Sequence, residues 1–226
     1  LDPTTGMHTE INERGPSVSE IEFELFVEKL LYLAKGASIC VFAGSLPRGI
    51  QPDVYATLIR EVKRLSVMTV VDTEGDALRL AVRAEPAVVS PNEPEAEELV
   101  GHEFNDIDDR AQAVAEITRL GASEAIMTVM DGCYAKVNED GGQALYRVRV
   151  EEQEPRSRIG SGDAFLAGYI AGRYTGRSPV ECLRYGVACG AESTQHFGAG
   201  VLNPSKVERL FAEVEANRLE VGAEIG

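Results

Sequence analysis

The chain has 226 residues, 44% hydrophobic and 26% charged, enough apolar material for one sizeable globular core. Its 37 acidic against 22 basic residues give a formal charge of −15, which repels phosphate backbones and anionic lipid and sets aside nucleic acid and membrane as partners. No apolar run reaches the ~18 residues of a membrane span and no secretory signal opens the chain, so a cytoplasmic location is expected.

In chain order, residues 19–35 carry apolar side chains at Ile21, Leu25, Leu30, Leu31 and Leu33, a helical pattern. Residues 38–42 follow as a short apolar run that reads as a buried strand. A helix over 52–65 opens on Pro52. Strands are expected at 68–72 and 87–90, and the second runs into Ser90-Pro91-Asn92-Glu93-Pro94-Glu95, the opening of a further helix. The helix at 110–120 closes on Gly121, a C-cap residue, and a strand follows at 125–129. Runs at 134–137 and 144–150 flank Asn138-Glu139-Asp140-Gly141-Gly142 and read as a hairpin. Three helices, at 162–174, 179–196 and 204–215, close the chain. This alternation predicts an α/β fold, a doubly wound, mostly parallel sheet with helices on both faces. Without repeats, low-complexity tracts or linkers, residues 1–226 are expected to form a single domain.

The four cysteines, Cys40, Cys133, Cys182 and Cys189, show no C-x-x-C spacing and sit among apolar neighbours, so they read as buried free thiols. His8, His102 and His196 lie far apart, which leaves a histidine metal site or a Ser-His-Asp triad little to build on. The acidic surface still admits a small phosphorylated ligand, which needs only one local positive site and a metal.

The chemistry concentrates in three loops that follow predicted strands or open predicted helices. Arg158-Ile159-Gly160-Ser161-Gly162-Asp163 leads into the helix at 162–174. A helix start presents unpaired N–H groups and the positive end of the macrodipole. Gly160, Ser161 and Gly162 have little or no side chain to hold an anion away, so they form a candidate anion hole. A carboxylate beside a bound anion is unfavourable unless it has a task. Taking a proton from an attacking hydroxyl is such a task, which makes Asp163 a candidate general base of phosphoryl transfer; plain helix capping is the competing reading. Asn92 and Glu95, three apart on an opening helix, face one site and suit the water shell of Mg²⁺, although acidic residues in a first turn also arise from the dipole alone. The loop Phe42-Ala43-Gly44-Ser45-Leu46-Pro47-Arg48-Gly49 is shaped by its Gly and Pro residues. It offers Ser45 and Arg48 to a polar or anionic substrate, or is simply a well-made turn.

Taken together and in order, these segments resemble the ribokinase-like carbohydrate kinases, and within them the phosphofructokinase B family that phosphorylates hexose phosphates, with the nearest look to 1-phosphofructokinases and tagatose-6-phosphate kinases. Thr9-Glu10-Ile11-Asn12-Glu13-Arg14-Gly15-Pro16 is similar to the family segment before this helix. Gly44-Ser45-Leu46-Pro47 is similar to its GSLP loop, Asn92-x-x-Glu95 to its NxxE motif, and Gly160-Ser161-Gly162-Asp163, continued by Phe165, Ala167 and Gly168, to its GAGD/GSGD signature. The resemblance implies ATP and Mg²⁺ as cofactors and a sugar phosphate as acceptor, converted to a bisphosphate. It implies Asp163 as catalytic base, Gly160 to Gly162 as anion hole, Asn92 and Glu95 as organisers of metal and ATP phosphates, and Ser45 near the sugar phosphate. It also puts Thr128, Gly132 and residues 199–204 beside the nucleotide.

The sequence departs from the family in places. Members carry a longer N-terminal part with a glycine-rich sugar-binding motif, a substrate-binding Asp and the β-strand lid through which many dimerise. The chain opens on Leu1 rather than Met and reads as starting inside such a product, which leaves a homodimer open and predicts a bare sheet edge or face that self-associates. The nucleotide loop, Thr128-Val129-Met130-Asp131-Gly132, keeps one of the two usual glycines. Ser90 replaces a common Lys, and Arg158 takes a position usually small or hydroxylated. These departures motivate a competing expectation, a non-catalytic nucleotide- or sugar-binding relative; a nucleoside or vitamin kinase of the same superfamily is a further alternative.

Overall fold

The computed structural model describes residues 15–151 and 154–220; most of the motif at 9–16, together with His8, lies outside them. The order is α1 (Glu20–Ala34), β1 (Ile39–Ala43), α2 (Val54–Arg64), β2 (Met68–Asp72), α3 (Gly75–Val82), β3 (Val88–Val89), α4 (Glu93–Val100), α5 (Ile107–Leu120), β4 (Glu124–Val129), β5 (Gly132–Glu139), β6 (Gly142–Arg149), α6 (Ser161–Tyr174), α7 (Pro179–Ser193), α8 (Pro204–Glu213) and β7 (Glu215–Leu219). The strands form one sheet in sequence order, with β1 to β4 parallel and β5, β6 and β7 added antiparallel.

Successive residues of a strand point to opposite faces, and both faces here are apolar. Val71, Val89 and Met127 meet Leu58, Val62, Leu78 and Ile117 on one side. Their neighbours Val70, Val88 and Ile126 meet Leu166, Tyr169, Leu183 and Val187 on the other. This two-sided burial is why the parallel strands read as unbroken apolar runs rather than alternating ones. Caps set the helix starts: Ser19 with Glu22 and Ser178 with Glu181 each form a reciprocal capping box.

Two elements differ from the sequence expectation. From sequence, no element is expected over the eight residues of α3, where Ala77, Leu78, Ala81 and Val82 are buried at helical spacing. The helix expected over 204–215 stops at Glu213, and Glu215–Leu219 turns into β7 along β6. That strand is polar and largely exposed, so only its backbone pairing defines it. The hairpin falls where expected, and the four cysteines are free thiols; Cys133, Cys182 and Cys189 are buried as expected, whereas Cys40, on the edge strand β1, is only half-buried. Burial pushes the Cys133 thiol up to about 12 and those of Cys182 and Cys189 up to about 11. No helix among the described residues is long and apolar enough to cross a membrane.

Strand β1 stands at the edge of the sheet, and the surface around it is apolar. On α1, Phe23, Val27, Leu30 and Leu31 pack against the core, but Ile21 is 70% exposed, Phe26 53% and Leu33 61%. Val41 on β1 is exposed, as is Tyr174 at the end of α6 on the opposite face. An unpaired edge strand between apolar flanks is a template for association. Sedimentation velocity of this chain is therefore expected to show concentration-dependent self-association. The double variant Phe26→Glu with Val41→Lys should reduce it, and a monodisperse monomer of the unmodified chain at high concentration would contradict the expectation.

Candidate active site

The carboxyl ends of β1 to β4 open onto the same edge, and the functional segments meet there. At β3, Pro91 leads to Asn92, the N-cap of α4. Its Oδ1 accepts the Glu95 amide at 3.0 Å, and the Glu95 Oε2 accepts the Asn92 amide at 2.9 Å. Asn92 and Glu95 therefore form a capping box. The box also fixes the Glu95 carboxyl against the sheet, where burial, its largest influence, raises the carboxyl above the usual range. The Thr128 amide donates to the Pro91 carbonyl at 3.0 Å, and Asn92 and Thr128 bridge in parallel. Two motifs 36 positions apart in sequence are thus a single hydrogen-bonded edge.

Asp72, the last residue of β2, was not singled out from sequence. It sits at the end of an apolar strand, where a carboxylate is out of keeping with its neighbours, and that contrast was the available signal. Its carboxyl is pushed up from the ordinary 3.8 to about 6, first by burial, then by Glu95 and by Asp163. Glu95 of α4 and Asp163 of α6 therefore both lie within electrostatic reach of Asp72 at the end of β2. Next to it, the buried Thr73 hydroxyl donates to the Gly44 carbonyl at 2.9 Å, and the Tyr55 hydroxyl donates to the same oxygen at 3.1 Å. These bonds hold the loop that presents Ser45, which is exposed beside the acids' edge and lines none of the cavities described here.

At the mouth of α6, Gly160 is the N-cap in the left-handed region, with φ +78°. A Cβ there would stand 2.6 Å from the Cβ of Ala199, so glycine is required both by backbone and by space. The Ser161 amide and hydroxyl both donate to the Arg158 carbonyl, at 3.2 and 2.9 Å, so that amide is already engaged. The Gly162 and Asp163 amides occupy the next positions of the first helical turn, where intrahelical acceptors are lacking. Asp163 makes no capping hydrogen bond among the described residues, unlike Asn92, Asp106 and Ser178 at the other helix starts.

The turn is a wall between two cavities. One, of about 310 Å³, is lined by Ser161 and Gly162 with Asn92, Thr128, Gly132 and Arg158 among others. The second, of about 500 Å³, is lined by Asp163 with Val41, Ala43, Leu166, Ile170 and Tyr174 among others. The first therefore collects Asn92, Thr128, Gly132, Ser161 and Gly162, while Asp163 faces the other side. Gly132 has its own cause, since a Cβ there would fall 2.0 Å from the Val148 carbonyl oxygen. Beside it Asp131 pairs with Arg147, whose guanidinium lies over the Tyr134 ring at 4.7 Å.

A search for related families finds the pfkB family carbohydrate kinases, whose profile matches residues 3–206. The chain belongs to the pfkB family of carbohydrate kinases. A tagatose-6-phosphate kinase of Staphylococcus epidermidis is 30% identical over 93% of this chain and 68% of its own length. A 1-phosphofructokinase of Bacillus subtilis is 30% identical over 95% of this chain and 69% of its own. Among solved structures, phosphofructokinase-2 from Escherichia coli, crystallised with substrates and products, superposes with a TM-score of 0.83 at 26% identity, covering 93% of this chain and 67% of that one. As a pfkB kinase the chain is an enzyme that phosphorylates a sugar, and the family implies ATP as the phosphoryl donor. The fold, an α/β layer structure with a mixed, largely parallel sheet, is likewise that of the kinase neighbours.

Gly160→Ala is expected to lower stability by on the order of 1–3 kcal/mol through left-handed strain alone, with more from the Ala199 contact, as read by urea unfolding. Asp72→Asn should do the opposite in metal-free protein. Because the Asp72 carboxyl is raised from 3.8 to about 6, its charge opposes folding above about pH 6, and the penalty fades as pH falls toward 3.8. The variant should gain on the order of 1–3 kcal/mol near pH 7, and the gap between variant and wild type should shrink by pH 4.

Proposed function

We propose that this kinase moves the γ-phosphoryl group of ATP to a hydroxyl of a sugar phosphate, fructose 1-phosphate, fructose 6-phosphate or tagatose 6-phosphate, giving ADP and a sugar bisphosphate. The observation that carries this reading is the Gly160–Asp163 turn standing between two cavities, with small residues toward one and the carboxylate toward the other. ATP lies in the first cavity, against Asn92, Thr128, Gly132 and Arg158. The acceptor lies in the second, with Ser45 at its approach. Asp163 takes the proton of the acceptor hydroxyl as that oxygen attacks the γ-phosphorus and the bond to the bridging oxygen of ADP breaks. The amides of Gly162 and Asp163, at the positive end of α6, hold the charge of the group in transit, and Gly160 gives the turn its shape. Ser161 braces that turn by donating its amide and hydroxyl to the Arg158 carbonyl rather than to the phosphoryl group.

The residues near the turn suit Mg²⁺. Glu95 and Asp72 offer hard oxygen donors that repel each other without a cation, and Asn92 adds an amide. No group of three acids, histidines or cysteines among the described residues is arranged to chelate a metal alone, which accords with an ion that retains waters and takes its other ligands from phosphates. When bound, the ion would neutralise phosphate charge; Glu95 and Asn92 would hold it, with Asp72 alongside.

One observation favours a second reading. Apart from Asp163, the acceptor cavity is lined here by apolar groups, whereas a sugar phosphate needs hydrogen-bond donors and a positive charge. A relative that binds nucleotide without transferring phosphate would look the same. Steady-state turnover with the three sugar phosphates, combined with calorimetry of Mg-ATP, separates the two. The kinase reading expects turnover, and Asp163→Asn should lower kcat by ~10²–10⁴-fold with Mg-ATP affinity retained. Wild-type-like turnover in that variant would remove Asp163 from the chemistry, and Mg-ATP binding without turnover by the unmodified chain would establish the second reading.

A further inference from the structure

We propose that Glu192 is a positioning residue for this site: it ties both ends of the segment 196–203 to α7 so that Ala199 backs Gly160 at the mouth of α6. The inference rests on the kinase reading above for its effect on rate, but not for its geometry.

Glu192 lies in the last turns of α7 and is fully buried, at 0% exposure. A buried carboxylate is costly unless its oxygens are paired, and an apolar side chain of similar size is usually tolerated as well or better at such a position. Both oxygens are in use. Oε1 lies 2.7 Å from Nε2 of His196, one turn further along. Oε2 accepts the backbone amide of Asn203 at 3.0 Å. Asn203 in turn caps α8, its Oδ1 accepting the amides of Ser205 and Lys206 at 3.1 and 3.3 Å. One carboxylate therefore fixes where the segment leaves α7 and where it enters α8.

Ala199, midway between these tethers, fills the space beside Gly160. Its Cβ would come within 2.6 Å of a Gly160 Cβ, and its Cα within 3.1 Å, so only a hydrogen fits between. The approach to Gly160 from the other side uses the same end of α7, since the Thr194 carbonyl accepts the amides of Arg156 and Ser157 at 2.8 and 3.1 Å. Gly190 and Thr194, on either side of Glu192, line the 310 Å³ cavity. Glu192 touches neither cavity, so it acts through the loop it anchors.

The test compares Glu192→Gln with Ile117→Ala, which removes fully buried apolar volume from α5 on the opposite face of the sheet. Each variant is assayed at a temperature where it is folded. In Glu192→Gln one acceptor oxygen and no charge remain for two tethers, so the bonds to Asn203 and His196 lose their charge assistance and at least one of them loses its carboxylate acceptor. Amide hydrogen exchange over 197–203 should rise, and kcat should fall on the order of 10–10²-fold with little change in the KM for ATP, as expected when a reacting group is held about 1 Å out of place. Glu192→Asp should recover part of the rate, and Ile117→Ala should lose stability without losing kcat. His196→Ala, which cuts one tether at a partly exposed position, should shift exchange and kcat the same way by less, and decides the matter if Glu192→Gln does not fold. Unchanged exchange over 197–203, or an equal fall of kcat in Ile117→Ala, would overturn the assignment. If the unmodified chain shows no turnover, the kinase reading fails by itself, and exchange with Mg-ATP affinity across the same variants still decides for or against the tether.

Discussion

Because β1 to β4 run parallel, their carboxyl ends finish along one edge, and the arrangement of polar groups in this chain depends on that alignment. Each strand delivers a loop to the same place: Gly44 and Ser45 after β1, Asp72 and Thr73 at the end of β2, Asn92 after β3 and Thr128 at the end of β4. The backbone bond from Thr128 to Pro91 and the side-chain bonds from Thr73 and Tyr55 to Gly44 lock neighbouring loops to each other. The opening of α6 completes the edge from the far face. Ligand sites beyond the carboxyl ends of parallel strands are a general outcome of this geometry, and here it gathers residues spread over more than a hundred positions.

The same convergence works against stability. Glu95 and Asp163 both act on the half-buried Asp72, and burial raises the carboxyls of Asp72 and Glu95. A fold selected for stability alone would place apolar or neutral groups there. The capping bonds of Asn92 and Glu95 offset part of the cost by giving the carboxylate a structural role as well. A charge that caps a helix and also faces an acidic neighbour is held in place by the first role for use in the second. The sheet's apolar layers, buried on both faces, supply the margin that tolerates this.

Much of this was legible in the sequence. The runs 68–72 and 125–129 are apolar because both faces of the sheet are covered there, and they match β2 and β4 to within a residue at either end, as the run 38–42 matches the edge strand β1, where Val41 stays exposed. Pro at the opening of a helix and Gly after its close marked several boundaries. The motifs at Asn92, Thr128 and Gly160 were each visible, and their meeting in one cavity followed from strand order. What escaped notice depends on tertiary context. β7 has no apolar alternation and exists through its bonds to β6, so the pattern extends the preceding helix into Glu215 and predicts no strand over 216–219. Asp72 looked like the end of a strand until Glu95 and Asp163 were brought near it. Glu192 falls inside the helix expected over 179–196 with no motif around it, although both its partners lie within eleven positions. The engagement of the Ser161 amide by Arg158 is a matter of angstroms that no pattern encodes.

The two sides of the Gly160–Asp163 turn are unequally furnished. The described residues line one side with polar groups such as Asn92, Thr128, Asp131 and Ser161 set among apolar ones, and they leave the other mainly apolar apart from a single acid. On the proposed reading, a framework divided in this way is modular: the half that would handle the common currency of energy is built into the layered scaffold, while choice among acceptors would rest on whatever borders the open half. Natural variation in preference is then free to accumulate on that border, and a chemist wishing to retarget the enzyme would redesign there first, leaving the shared donor machinery untouched.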